Sequence, residues 1–382
     1  MKRPWIRSVT IILVLIQFCA SCAPSSESPT VVDRVEPSPT KMEATETPIP
    51  TEEPTNTPIP IPTSKPQLEI GLENVNRLTP QLTIQQDYGW IKSLTFSADG
   101  TLLAGAAGHE DLRVWRVEDG SLEVALTGHS ARILCAAFSL DGKFLATGSQ
   151  DNSILIWNVN DWSIFKKLDG HESFVNTVSF SPDSRLLVSG GEDRRVILWD
   201  VQSGEVLHRL DEPIQQLRHV FFSSDGGMIA ASSAETRARV WLVDGGELLW
   251  TLLGPSGIHA LALTPHGSVV ATASSSCWPK ESGCDPISPI IFWDMSDGSR
   301  IRTTEEKMLV ISMVFSPSGD LLFAGVEEDN KIQVYRVADA VLLWELQGHG
   351  ERITAVALNP EGTLFASGDN SGKIILWGLP ED

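Results

Sequence analysis

Apolar and polar positions along this chain recur in a unit that is repeated seven times. Each unit contains a turn of the form Phe-Ser-x-Asp-Gly, or a variant of it, followed by an apolar run that ends in an aromatic residue. These aromatics are Trp115, Trp157, Trp199, Trp241, Trp293, Tyr335 and Trp377, so the gaps are 42, 42, 42, 52, 42 and 42 residues. A period near 40 with four short strands is typical of a β-propeller, whose blades bury their faces only against neighbours. The sequence therefore predicts an all-β ring of seven blades.

The second unit shows how a blade is encoded. Its apolar runs predict four strands, at residues 133–138, 144–147, 153–159 and 163–168. Asp141-Gly142 supplies the first hairpin turn, where glycine accepts a positive φ. The inner strands are apolar because blades stack on both faces, whereas Lys166 and Lys167 mark the fourth strand as an outer edge.

The last unit ends after its third strand and so lacks an outer strand. Leu82-Thr83-Ile84 lies 42 residues before Val124-Ala125-Leu126, which belongs to the fourth strand of the first unit. We therefore expect the N-terminal strand to complete the last blade. This pairing would close the ring and remove its free sheet edges.

Three units contain a Gly-His pair, at Gly128-His129, Gly170-His171 and Gly348-His349, with each His 28 residues before its Trp. On these residues the chain, from about residue 79 to 378, resembles the WD-repeat family. The resemblance implies a buried hydrogen-bond network of the His, a Ser or Thr, an Asp and the Trp indole. Such a network also has a general physical reason, because a buried indole N–H needs an acceptor.

Two units match this network fully, with His129, Thr147, Asp151 and Trp157 in one and His171, Ser189, Asp193 and Trp199 in the other. The last unit has His349, Ser367 and Trp377, but Ser371 stands where the Asp is expected. The other four units lack the pair at this spacing. Their blades are expected to hold their turns by other means.

Partners of WD-repeat proteins usually bind the face formed by the loops that enter the first strand and join the second strand to the third, which we call the loop face. One position per blade on this face reads Trp90, Arg132, Phe174, Gln216, Ile258, Val310 and Arg352. Trp and Arg are favoured anchors at protein interfaces, and Gln150 and Glu192 are expected nearby. Alternatively, Ile258, Val310 and also Phe174 are core residues at strand starts.

The ten extra residues of the fifth unit fall between its second and third strands, and therefore on the loop face. They place Trp278 between Cys277 and Cys284, which are candidates for a local disulfide that would present the aromatic ring on a constrained loop. Metal binding is the weaker reading, because no His or second Cys pair accompanies them. The other alternative is a tolerated insertion with Trp278 folded onto its blade. Cys135, in an apolar run, is expected to be a small core residue.

The N-terminal 22 residues have the layout of a secretory signal, with a basic start and a short apolar stretch. Cys19-Ala20-Ser21-Cys22 resembles a bacterial lipobox, with Cys19 where Leu is usual, which implies a lipid on Cys22. A cleaved signal without lipid and an uncleaved anchor are the alternatives. All three place the protein outside the cytoplasm, in the cell envelope.

Residues 23–66 hold 11 of the 23 prolines and no aromatic residue, so they are predicted to form a disordered stalk, or else a loose tail, before a propeller at 67–382. The net charge of the chain is −20, which argues against nucleic-acid binding. No catalytic motif or Gly-rich phosphate loop occurs, so neither catalysis, nor a cofactor, nor a metal is predicted.

The leading interpretation is a protein-interaction scaffold, anchored to the membrane only through its lipid. The alternative is a propeller that binds, or hydrolyses, a small molecule or carbohydrate in its central channel. Converging carboxylates in the channel would favour that alternative, and a lining of Ser and Ala would favour the scaffold.

Overall fold

The computed structural model describes residues 68–86, 89–210, 215–275 and 288–380. In this part the chain forms seven four-stranded antiparallel sheets, each of them one blade. The first strand of each blade lies against the first strands of its neighbours, so the blades form a ring. The predicted seven-bladed propeller is confirmed.

The strands follow the repeat along the chain. Blades 1 to 3 comprise β2 (Ser93–Phe96), β3 (Leu102–Ala106), β4 (Asp111–Arg116), β5 (Leu122–Thr127); β6 (Ile133–Phe138), β7 (Phe144–Ser149), β8 (Ser153–Asn158), β9 (Ile164–Asp169); β10 (Val175–Phe180), β11 (Leu186–Gly191), β12 (Val196–Asp200) and β13 (Val206–Leu210). Blades 4 to 6 comprise β14 (Leu217–Phe222), β15 (Met228–Ser233), β16 (Arg237–Leu242), β17 (Leu248–Leu253); β18 (Gly257–Leu263), β19 (Val269–Ser275), β20 (Ile290–Asp294), β21 (Arg300–Thr303); β22 (Val310–Phe315), β23 (Leu321–Val326), β24 (Ile332–Arg336) and β25 (Val341–Leu346). Blade 7 comprises β26 (Ile353–Leu358), β27 (Leu364–Asp369), β28 (Lys373–Gly378) and β1 (Thr79–Gln85). Two short 3₁₀ helices occupy Val75–Arg77 and Glu328–Asn330.

The N-terminal strand closes the ring, as the sequence predicts. β1 pairs antiparallel with β28, from Thr79 opposite Gly378 to Gln85 opposite Lys373. Ile84 packs in one hydrophobic cluster with Ile374 of blade 7 and with residues of blade 1. The first and last parts of the propeller therefore share one sheet and one core.

The core lies between the blades. The cluster between blades 1 and 2, for example, joins Leu112 and Val114 to Leu145 and Trp157. The seven aromatics that end the apolar runs are all buried. Because each blade is apolar on both faces, a blade buries its apolar residues only against its neighbours. The same pattern of apolar positions is therefore needed in every blade.

The hairpin turns between first and second strands lie at the end of the blades opposite the loop face. In blade 2, Ser139 Oγ donates to Asp141 Oδ1 at 2.7 Å, and Gly142 has φ 71°. Ser184 occupies the glycine position in blade 3 with φ 60°, and its hydroxyl accepts a bond from the Asp141 amide at 3.1 Å. That bond offsets the strain of the left-handed conformation.

The predicted N-terminal signal, the predicted stalk and the insertion in blade 5 lie outside the described residues. This applies to Cys22, the stalk at 23–66, and Cys277, Trp278 and Cys284. In the part of the chain that the structure describes, no helix is long and apolar enough to span a membrane.

Candidate functional site

The Gly-His units carry hydrogen-bond networks that fix the loop face of their blades. In blade 2, His129 Nδ1 donates to Asp151 Oδ2 at 2.9 Å, while Thr147 Oγ1 bonds His129 Nε2 at 2.8 Å and accepts the Trp157 indole N–H at 2.9 Å. The Ser130 amide also donates to Asp151 at 3.0 Å. Blade 3 repeats the arrangement with His171, Asp193, Ser189 and Trp199, at 2.8 Å in each of the three bonds.

Each Gly of a Gly-His pair is required by the Trp of its own blade. A Cβ at Gly128 would lie 2.9 Å from Trp157, and one at Gly348 would lie 2.8 Å from Trp377. The indole therefore packs directly on the glycine backbone. This contact places the following His in reach of its Asp and hydroxyl partners.

The expected Asp of blade 7 occurs at another position, so the interpretation of Ser371 as a gap in the network is wrong. Asp369 Oδ2 accepts from His349 Nδ1 at 2.7 Å, and Ser367 Oγ links His349 Nε2 to the Trp377 indole. Ser371 instead donates to Asp369 Oδ1, at 2.7 Å. The turn itself is alike in the three blades, since Asn152, Arg194 and Gly372 have φ values of 70°, 67° and 82°. The carboxylate of blade 7 therefore comes from the end of β27 instead of from this turn.

The predicted partner-binding residues differ in exposure. Trp90 is 40% exposed and Arg132 is exposed, whereas Gln150, Phe174, Glu192 and Arg352 are half-buried. The amide of Gln150 donates to the Arg132 carbonyl, and that of Glu192 to the Phe174 carbonyl, so these pairs are neighbours on the loop face.

Ile258 and Val310 do not lie on the loop face but are buried at strand starts, as the alternative reading has it. The Ile258 amide bonds the Glu235 carbonyl as the Ile133 amide bonds that of His109, so Ile258 corresponds to Ile133. Likewise the Glu327 amide donates to the Leu309 carbonyl, as the Gln150 amide donates to the Arg132 carbonyl in blade 2. Leu309, and not Val310, therefore corresponds to Arg132. Counting back from the aromatic residue shifted both positions by one, because the loops after the second strands of blades 5 and 6 are longer.

Trp90 is held in a defined place. A Cβ at Gly108 would lie 2.8 Å from the Trp90 Nε1 atom, so the indole packs on the Gly108 backbone. Lys92 Nζ lies 5.5 Å from the centroid of the Trp90 ring, which is within the range of a cation–π interaction. An exposed aromatic fixed in this way loses little entropy on binding a partner.

A β-bulge recurs in the first strands, which surround the central channel. In blade 4 the pairing skips from Leu217 to His219, so Arg218 is the bulged residue. The same position in the seven blades reads Lys92, Leu134, Asn176, Arg218, His259, Ile311 and Thr354. Bulges re-aim side chains. None of these seven residues is a carboxylate.

Comparison with known protein families matches part of the chain. Three segments, 120–158, 162–200 and 340–378, match the family model described as WD domain, G-beta repeat. These three segments are therefore similar to WD40 repeats. They contain the Trp residues of the complete networks, in blades 2, 3 and 7. The other four blades of the propeller keep the geometry with altered residues.

Several curated proteins are similar to parts of this chain. The human angio-associated migratory cell protein is 31% identical over 81 residues, which is 21% of this chain and 19% of that protein. Small ribosomal subunit protein RACK1 of Medicago sativa is 28% identical over 146 residues, 34% of this chain and 42% of that protein. Guanine nucleotide-binding protein subunit beta-5b of Danio rerio is 39% identical over 66 residues, 17% of this chain and 16% of that protein. The matches thus span less than half of each relative.

Two of the blades without a Gly-His pair use other partners for their aromatics. In blade 5 the Trp293 indole donates to Thr272 Oγ1 at 2.8 Å, and in blade 6 the Tyr335 hydroxyl donates to Gln333 Oε1 at 2.7 Å. Blade 4 contains an ion pair between the buried Arg239 and the half-buried Glu235. Blades 4, 5 and 6 thus show interactions that take the place of the Gly-His network.

A shallow pocket of about 560 Å³ lies at the end of the propeller opposite the loop face. It is lined by Glu69, Glu73, Asn74 and Asp320 among others, next to hairpin turns between first and second strands. Within the described residues no cluster of His, Cys, Asp and Glu has the composition of a metal site.

We expect the propeller to lose stability as the pH falls from about 6.5 to 4, because His219 is held uncharged in the folded state. Burial lowers the pKa of His219 from 6.5 to about 4, the carbonyl of His259 that accepts its Nε2–H at 2.9 Å opposes this, and the charges of Arg218 and Lys92 reinforce it. Since the folded pKa lies below the unfolded one, the unfolded state takes up the proton first. At pH 4.5 this costs about 2 kcal/mol relative to pH 7.

Urea unfolding at pH 7 and pH 4.5 tests this expectation. His219→Gln keeps a donor for the His259 carbonyl and removes the titrating group. The difference in its unfolding free energy between pH 7 and pH 4.5 should therefore be smaller than that of the unaltered protein by about 2 kcal/mol. An equal pH dependence in both proteins would refute the assignment.

Proposed function

We propose that this protein is a non-catalytic scaffold that binds a protein partner on its loop face and is displayed outside the cytoplasmic membrane through a lipid on Cys22. The observation that carries the proposal is the exposed Trp90, held in place on a WD40 propeller and accompanied by the exposed Arg132. WD40 propellers generally bind protein partners. Two of the similar proteins are, by name, a ribosomal subunit protein and a subunit of a guanine nucleotide-binding protein.

The loop face combines the residue types expected of an interface. Trp90 and Phe174 supply aromatic surface, Arg132 and Arg352 supply planar donors, and Glu192 supplies a carboxylate. Aromatic and Arg side chains dominate the binding energy of typical interfaces. Trp278, on the inserted loop of blade 5, is proposed to extend this surface.

Affinity capture from a solubilised envelope extract tests the scaffold. A bait beginning at residue 67 is compared with a double variant, Trp90→Ala with Arg132→Ala. We expect the affinity of the double variant for the partner to be at least tenfold lower. The reason is that removing two anchor residues costs more than about 1.4 kcal/mol of binding free energy.

The chain offers a matched control for this experiment. Trp344 is 41% exposed on the outer strand β25, and Arg185 is exposed in a turn of the opposite face. The double variant Trp344→Ala with Arg185→Ala should retain the partner. Equal loss in both variants, or no specific partner for the unaltered bait, would contradict the proposal.

Labelling with radioactive palmitate tests the lipid anchor separately. In a bacterial host the unaltered chain should take up label and sediment with membranes, whereas Cys22→Ser should do neither. Membrane sedimentation without label would indicate the uncleaved anchor, and a soluble, unlabelled product the ordinary signal.

A further inference from the structure

The loop-face end of the central channel gathers basic side chains from separate blades. Arg218 and His259 are the bulged residues in the first strands of blades 4 and 5, and Lys92 directly precedes the first strand of blade 1. We call these three residues the channel cluster. Lys92 and Arg218 stand three blades apart, the greatest separation that a ring of seven allows. Nevertheless, the charge of Arg218 is close enough to contribute to lowering the pKa of Lys92 and that of His259. Side chains placed so far apart around the ring meet only in the channel.

Carboxylates balance this cluster only in part. Glu192 is the acidic residue whose charge acts on both Lys92 and Arg218, so these two cations share one carboxylate. Burial lowers the pKa of His259 to about 4, and the charges of Arg218, His219 and Arg352 add to the shift. Glu327 in turn acts on Arg352. Three Lys and Arg side chains therefore face two carboxylates around this site, in a chain whose net charge is −20.

Burial leaves part of this charge without compensation. Burial lowers the pKa of both Lys92 and Arg218, and Glu192 opposes the shift in each. The Arg218 Nε atom is shielded from solvent and has no hydrogen-bond partner among the described residues. Buried charges are costly unless an opposite charge and hydrogen bonds satisfy them. Such an arrangement is destabilising by itself and becomes favourable when an anion is bound.

We propose that the channel cluster binds an oxyanion, the phosphate or carboxylate group of a small ligand, at the loop-face end of the channel. Arg218 donates to its oxygens from the guanidinium, and Lys92 supplies a second cation from the other side of the channel. Hydrogen bonds between ionised groups are stronger than neutral ones, and the planar guanidinium suits both phosphate and carboxylate. Trp90, which lies against Lys92, borders the site.

Calorimetric titration of the full-length protein tests the site and distinguishes the two ligand chemistries. Inorganic phosphate and citrate are titrated separately at one ionic strength, with chloride as the reference anion. We expect saturable binding of at least one of them. Lys92→Met and Arg218→Met should each weaken it at least tenfold, whereas Arg185→Met, which removes an exposed Arg from the opposite face, should leave it unchanged.

Thermal unfolding separates an anion site from a merely structural role of Arg218. Without the anion, Arg218→Met should be at least as stable as the unaltered protein, since it removes an uncompensated buried charge. Phosphate or citrate should raise the melting temperature of the unaltered protein and not that of Arg218→Met. Absence of saturable binding of both anions, or destabilisation by Arg218→Met with unchanged anion binding, would overturn the proposal. The result does not depend on the proposed protein partner, because the probes are small ions.

Discussion

Removal of residues 1–86 is expected to destabilise the propeller by at least about 5 kcal/mol. The truncation takes away β1, and with it the burial of Leu82 and Ile84 and the pairing with β28. The buried Ile84 contributes about 1.5–3 kcal/mol, the half-buried Leu82 contributes less, and each ladder hydrogen bond contributes about 1 kcal/mol. Because whole domains are stable by about 5–15 kcal/mol, this loss is a large part of the total. It also opens the edge of β28 to association with other chains.

Urea unfolding followed by tryptophan fluorescence, with sedimentation velocity, measures both effects. A chain that begins at residue 67 is the control for the truncation. Point variants refine the test, because Ile84 is buried and its neighbour Gln85 is exposed on the same strand. Ile84→Asp should unfold at much lower urea than Gln85→Asp. A truncated chain as stable and monodisperse as the control would show that ring closure contributes little.

Replacement of Asp369 is expected to have the second largest effect. Asp369 and His349 are completely buried, and the carboxylate also accepts the Ser371 hydroxyl and the amides of Ser371 and Lys373. Asp369→Ala leaves these donors and the imidazole without their acceptor, in blade 7, which closes the ring. Breaking such a buried pair costs about 3–5 kcal/mol.

Asp161 provides the matched control. It accepts the Ser163 amide and hydroxyl, at 3.0 and 2.7 Å, in a turn that is exposed. Asp161→Ala should therefore cost much less stability than Asp369→Ala in the same urea experiment. If the two variants lost equal stability, burial of the Asp369 network would not explain its effect.

The aspartates of the Gly-His networks also affect stability at low pH, as Asp151 shows. Burial raises the pKa of Asp151, but bonds from Ser153, Ser130 and His129 outweigh it and hold the pKa at about 2. Since this value lies below the ordinary one, the stability that Asp151 contributes is present above about pH 4 and lost as the pH falls toward 2. This window lies below that of His219, so the two contributions are separable along the pH scale.

The sequence by itself determined the number of blades, their strands, the closing strand and two of the three complete networks. These features depend on spacing along the chain, because a blade's turns, apolar runs and aromatics are local in sequence. Spacing failed where loops vary in length. It placed Ile258 and Val310 on the loop face, and it looked for the blade 7 carboxylate at Ser371 although Asp369 supplies it.

Only the tertiary structure decided what the channel contains. Lys92, Arg218 and His259 belong to repeats that are separated by one to four periods, and nothing in a single repeat marks them as a group. Ring closure places the first strands of all seven blades around the channel, and Arg218 and His259 stand at β-bulges of these strands. Charge balance at such a site depends on which blades face each other across the channel. The linear sequence does not show which blades face each other, because the packing of all seven blades sets that arrangement.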